Sequence, residues 1–283
     1  MTPSASAARD AGLPNLTDWQ GRRHIPAPDA RILSLVPSLT ETLFELGLGG
    51  NLVGRTAFCI HPADRVKQIK SVGGTKQVNW QKVDAAKPTH VVLNIDENPK
   101  DMAQALEERG IIPVVTHPMT PADNGPLIRL LGGVFGKSDA AEDMAQRFET
   151  ALRNITAVKP KSGTRVLYLI WKAPWMTVGR ETYISRFLDL IGWRTWQGTA
   201  DARYPELEIS DNLLEGVDAV LFSSEPFPFT DQHLDEFRTA FPRHAAKARI
   251  VDGELLSWYG VRAIDGLAYL KALADETEQA AAP

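Results

Sequence analysis

The chain has 283 residues, 43% of them hydrophobic, enough for one large domain or two lobes of about 100–150 residues, each with its own core. Its formal net charge is −4, with acids and bases interspersed, which excludes the basic stripe that a nucleic-acid partner demands. A lone cysteine, Cys59, excludes an intrachain disulfide without fixing the redox compartment, and no apolar run reaches the roughly 18 residues of an inserted membrane helix.

The opening residues, "MTPSASAARDAGLPNLTDWQGRRHIPAPDA", carry no positive start followed by an apolar stretch. As written the chain reads as cytoplasmic; it is periplasmic if the true start lies upstream. Residues 1–29 are expected to form a flexible arm strapped on by Leu16 and Trp19. From Arg31 a pattern repeats: apolar run, short loop, amphipathic stretch. "RILSLV" is the first run, closed by Pro37. Ser38 with Glu41 predicts a capping box, opening a helix that buries Leu39, Thr42, Leu43 and Leu46 and ends at Gly47. "NLVG", "HVVLN" (90–94), "IPVVT" (112–116), "RVLYLIW" (165–171), "DAVLFSS" (218–224) and "ARIVDG" (248–253) follow. Helical stretches separate most of them, including Pro99 to Arg109 and Glu181 to Ile191. Continuous apolar strands alternating with helices predict an α/β fold with parallel sheets covered on both faces.

Segment 138–159 differs. Asp139 with Glu142 signals a helix start, and Ala141, Met144, Ala145, Phe148, Leu152 and Ile155 recur at helical spacing until Pro160. Such a helix spans about 30 Å. It reads as a rigid connector, longer than the other helices, between an N-lobe (30–137) and a C-lobe (160–283).

Ligands of open α/β sheets gather beyond the carboxyl ends of the strands. Phe58, Cys59 and His61 follow the second run; Asn94 and Glu97 the third; His117 the fourth. In the second half Trp171 and Trp175 end the long run, Glu225 follows "DAVLFSS", and Trp258, Tyr259 and Arg262 follow "ARIVDG". Arg203 and Tyr204 lie in "ARYP". Rings at several strand ends predict walls for a broad, flat or ring-bearing ligand, and the arginines suit its acidic groups.

Catalysis has no constellation. Ser38 sits in "VPSLT", not G-x-S-x-G, and no dinucleotide or P-loop glycine pattern follows a strand. No resident metal or cofactor is expected; Cys59, His61 and His117 are the side chains that could reach a metal carried in by a ligand.

The stretch "RILSLVPSLTETLFELGLGGNLVGRTAFCIHPADRVKQIKSVGGTKQVNWQKVDAAKPTHVVL", with "YLIWKAPWMTVG", "YPELE", "SSEPFPF" and "SWYGVR", resembles the helical-backbone (class III) substrate-binding proteins of ABC importers for cobalamin, haem and ferric siderophores. The resemblance covers about residues 30–275 and is strongest to the cobalamin-binding subgroup. It implies two Rossmann-like lobes joined by one long helix, a stiff molecule, and a ligand held in the cleft between the lobes without chemical change, most of all a corrinoid. It matches Phe58, Tyr204, Trp258 and Trp171 or its neighbours to ligand-lining aromatic positions, and places Thr75 and Asn94 where cobalamin binders can carry tryptophans. The implied partner is an ABC permease, yet Gln81 stands at a usual docking acid, with the second docking position near Ser210 or Asp211. A haem or ferric-siderophore receptor, and a cytoplasmic carrier or sensor without a permease, are the alternatives.

Overall fold

The computed structural model describes residues 16–157, 163–198 and 202–280. They divide into two compact units: residues 16–117 with 125–146, and residues 118–124 with 147–280.

In the first unit β1 (Ile32–Ser34), α1 (Pro37–Glu45), β2 (Leu52–Arg55), α2 (Ala63–Val66), α3 (Trp80–Ala86), β3 (His90–Asn94), α4 (Met102–Glu107) and β4 (Ile112–Thr116) follow in chain order. The sheet order is β2-β1-β3-β4 and every pairing is parallel, so all four carboxyl ends share one edge. The apolar runs explain this, since β3 is buried along its whole length and Leu33, Val91, Leu93 and Val115 meet Val83 and Leu106 of the helices.

The predicted capping box does not form. Pro37 itself is the first helical residue, Val36 takes the N-cap position, and Ser38 Oγ is buried with no hydrogen bond. Proline suits this place because its fixed φ is already helical and its missing N–H is not needed there. Gly47 does turn the chain, at φ 77°.

The arm's first 15 residues lie outside the described chain. Beyond them Leu16 is buried as expected, but Trp19 is 56% exposed, and the main fastening is Asp18. Its buried carboxylate accepts from the N–H groups of Gln20, Arg22 and Val115 and from His24 Nε2. Trp19 N–H returns a bond to Val115 O at 2.9 Å. The strap thereby satisfies the edge strand β4, whose outward groups would otherwise stay unpaired.

Next come α5 (Asn124–Val134) and α6 (Ser138–Thr156). Ala141, Ala145 and Phe148 are fully buried at the expected spacing. The helix starts at Ser138 rather than behind an Asp139 cap, and Glu142 binds Arg129 at 2.7 and 3.0 Å instead of closing a box. A Cβ added at Gly132 would lie 2.1 Å from that of Ala141, so glycine permits the close approach of α5 and α6. The division between the units falls inside α6, after Gln146. Segment 118–124 belongs with the second unit, where Asn124 exchanges two hydrogen bonds with the backbone of Gly260 (3.0 and 2.5 Å).

The second unit contains β5 (Arg165–Trp171), β6 (Trp175–Thr177), α7 (Tyr183–Asp189), β7 (Arg194–Thr195), β8 (Glu206–Leu207), α8 (Asp211–Glu215), β9 (Ala219–Ser223), α9 (Asp231–Ala240), β10 (Ala248–Val251), α10 (Gly253–Ser257) and α11 (Arg262–Ala280). Strands β10, β9, β5 and β7 are parallel neighbours, while β6 and β8 pair antiparallel. The α/β class holds, but this sheet is mixed rather than wholly parallel. At "WKAPW" the chain turns back, with Ala173 in the left-handed region at φ 64°, and Met176 pairs with Trp171. Helix α6 is also matched in length: α11 has the same 19 residues. Among the described residues no helix is long and apolar enough to cross a membrane.

Candidate functional site

At the carboxyl edge of the first unit, β2 runs into "TAFCI". Cys59 turns inward with 0% exposure, and its sulfur lies 3.0 Å from Thr40 Oγ1 and 3.1 Å from Thr56 Oγ1. Burial pushes its thiol pKa up, with the charge of Glu97 adding to the effect. The chain turns here, Cys59 N–H donating to Thr56 O at 3.3 Å, and with Cys59 pinned inward its neighbours Phe58 and Ile60 are left 60% and 50% exposed. The Phe58 ring packs over Gly74.

After β3, Asn94 builds a loop rather than lining a surface. It is 2% exposed; its Oδ1 accepts from Asp96 and Glu97 N–H, and its own N–H donates to Asn98 Oδ1. Asn98 in turn donates to Leu35 O and Thr75 O. The loop so held leaves Ile95 exposed and Glu97 half-exposed. After β4, His117 is largely covered: Trp19 meets its ring edge-on at 4.7 Å and Asp96 Oδ2 lies 3.4 Å from Nε2. His61 is half-buried in the "CIHP" turn. Among the described residues no three His, Cys, Asp or Glu side chains converge as a metal site.

In the second unit Trp171 closes β5, 41% exposed and edge-on to Phe227 at 5.6 Å. Trp175 stacks on Phe229 at 6.0 Å and packs on the core beneath β6. Arg203 is half-buried, its guanidinium donating to Glu181 O and lying 6.0 Å from the Tyr204 ring. Tyr259 is buried edge-on against Tyr183.

Glu225, Trp258 and Arg262 come together beyond β9 and β10. Trp258 is buried, and its Nε1 donates to Glu225 Oε1 at 2.8 Å; Ser257 Oγ donates to the same oxygen at 2.7 Å. Arg262 lies 5.2 Å over the Trp258 ring and 3.4 Å from Glu254. Burial raises the Glu225 pKa, the charges of Glu254 and Asp252 push the same way, and the two donors oppose them.

The sequence picture therefore needs redistribution. Of the expected rings, Phe58 and Trp171 present open surface, while Trp258 and Tyr259 are covered. Ile60, Ile95, Phe227 and Ser257 are not among the expected site residues, although Phe227 and Ser257 stand in the quoted segments "SSEPFPF" and "SWYGVR". An isoleucine inside the polar turns "CIHP" and "NIDEN" was the available signal.

The arrangement offers apolar surface and hydrogen-bonding groups at strand ends, with no nucleophile–base pair assembled among the residues described above. Comparison with known proteins agrees in kind. A vitamin B12-binding protein of Vibrio vulnificus (strain CMCP6) is 25% identical over 200 residues, 70% of this chain and 72% of that protein. The periplasmic vitamin B12-binding protein BtuF of Vibrio cholerae superposes with a TM-score of 0.73 at 19% identity, covering 87% of this chain and 98% of that one. A periplasmic haem-binding protein from Pseudomonas aeruginosa superposes at 0.71 with 25% identity, covering 86% and 92%. The family profile described as "Periplasmic binding protein" matches residues 32–241, most of the sequence, and this chain belongs to that family.

Proposed function

We propose that this protein is a non-catalytic substrate-binding protein of ABC-type uptake whose ligand is a metal-bearing macrocycle, a corrinoid before others. The ligand-facing groups of each unit are those at the carboxyl ends of its own sheet, and α6, within which the division between the units falls, serves as the connector. The observation that carries the reading is the apolar surface left open at those ends: Phe58, Ile60 and Ile95 on one unit, Trp171 on the other. Large exposed apolar side chains at strand ends suit an interaction surface, and a ring system is the ligand that covers them with most area per contact. The vitamin B12-binding relatives support the corrinoid choice.

Haem is the second reading, favoured by the haem-binding neighbour at 25% identity. Its iron would draw an axial ligand from His117, which would have to give up Asp96. Titration of the purified protein with cyanocobalamin, haemin and a ferric siderophore, followed by tryptophan fluorescence and visible absorption, tests both. Saturable quenching by cyanocobalamin is expected; a shifted Soret band lost in His117→Ala marks haem; no response to any ligand removes the proposal. Delivery to a permease is part of the same proposal. Exposed Gln81, in the first turn of α3, leaves it without the charge-assisted contact that an acid would give.

A further inference from the structure

Glu225 is held more firmly than a rim residue requires. Its carbonyl accepts from Ser223 Oγ at 2.6 Å, and Ser223 lies 3.0 Å from the buried Tyr168 hydroxyl. Ser224 Oγ accepts from Gly253 N–H at 2.9 Å. Gly253 presses on the group from the other side: a Cβ there would lie 2.4 Å from Ser223 Oγ, 2.7 Å from Glu225 Cγ and 2.8 Å from Glu225 N. The side chain is fixed as well, because Ser257 Oγ and Trp258 Nε1 both donate to Oε1. No described residue donates to Oε2, and the residue keeps partial exposure at the carboxyl end of β9. One oxygen is clamped; the other is a directed acceptor.

The surroundings decide what it accepts from. Glu254 and Asp252 are the charges that act on it, and Arg262, the nearby cation, is paired with Glu254. A ligand carboxylate brought here meets acidic groups and costs free energy through like-charge repulsion. A neutral N–H donor satisfies Oε2 without that penalty, and a fixed, half-buried acceptor discriminates sharply between ligands that fill it and ligands that do not.

We infer that Glu225 is a specificity-determining residue that accepts a hydrogen bond from a carboxamide N–H of the ligand, selecting a macrocycle with an amide periphery over one ending in carboxylates. The inference rests on the reading above and sharpens it, since cobalamin carries side-chain carboxamides and haem carries two propionates.

The test uses the full chain and three probes: cyanocobalamin, its monocarboxylic acid isomers (one amide hydrolysed in each), and haemin. The wild-type protein is expected to bind cyanocobalamin more tightly than haemin, and at least one monoacid isomer about tenfold more weakly than cyanocobalamin, a difference of about 1.4 kcal/mol. Glu225→Gln, which keeps the shape but adds donors and removes the charge, is expected to narrow that gap. Circular dichroism checks that the variant is folded; the isomer series needs no variant at all. If cyanocobalamin binds but every isomer matches it, the inference falls while the functional reading stands. Tighter haemin binding overturns the inference and the corrinoid choice together. Binding of none of the probes overturns both the reading and the inference.

Discussion

At the residue scale, two buried groups set measurable behaviour. Glu225 has a raised pKa because burial and two neighbouring acids disfavour its charge. In the unfolded chain it ionises near the ordinary value of 4.5. As pH rises from there to the higher folded value, the unfolded state loses its proton first, so this group's contribution to stability declines and then levels off. Glu225→Gln removes that decline. Urea unfolding at pH 4 and pH 7 is expected to show the variant gaining on the wild type as pH rises; a constant difference would refute the assignment. Cys59 behaves in the same sense, since burial keeps its thiol protonated and its 0% exposure denies access. A thiol reagent at pH 8 is expected to label it far more slowly in the folded protein than in urea, and equal rates would contradict the placement. Neither group was fully legible in the sequence. Cys59 read as a candidate for a ligand's metal because it sits at a strand end, but only the positions of Thr40 and Thr56 reveal its inward turn. Glu225 was readable as a rim acid; its clamp depends on Ser257 and Trp258, 32 and 33 residues away.

At the element scale, long buried strands were the easiest to read. β3, β4 and β5 match the apolar runs at both ends, because a strand buried on both faces admits few polar residues. In the second unit the strands of two and three residues, β6, β7 and β8, carry too few positions to show a period, and β6 and β8 hold the antiparallel part of the sheet. The Asp18 strap was hidden for another reason: its partner, Val115, is 97 residues away. Asp18→Ala removes a carboxylate that serves three backbone N–H groups and His24. It is expected to cost about 3 kcal/mol by leaving buried donors unpaired, read from the urea midpoint at constant slope; a change below about 0.5 kcal/mol would show that the strap is dispensable. The α5–α6 contact gives a second test. Gly132→Ala forces its new methyl onto Ala141 and is expected to destabilise by about 1–3 kcal/mol, with part of the loss restored when Ala141→Gly accompanies it. Full additivity of the two changes would deny the contact.

At the scale of the whole molecule, the alternation of strands and helices and the motifs along the chain led to the family, and the α/β fold and the match over residues 32–241 agree. What the sequence could not distribute was exposure. Seven tryptophans and ten phenylalanines stand in the chain, and in one dimension a ring that fills a core looks like a ring that waits for a ligand. The structure separates Trp193, 1% exposed, from Trp171 at 41% and Phe58 at 60%. If the open rings grip the guest, their loss must weaken binding without unfolding the protein, because neither belongs to the buried core: Phe58 keeps 60% and Trp171 41% exposure. The most direct measurement is an equilibrium titration of the full chain with cyanocobalamin, monitored by visible absorption, in wild type and in Phe58→Ala with Trp171→Ala. The expected result is saturable micromolar or tighter binding by the wild type and at least about tenfold weaker binding by the folded double variant. Absence of saturable binding by the wild type, or equal affinity in the two proteins, would contradict the account.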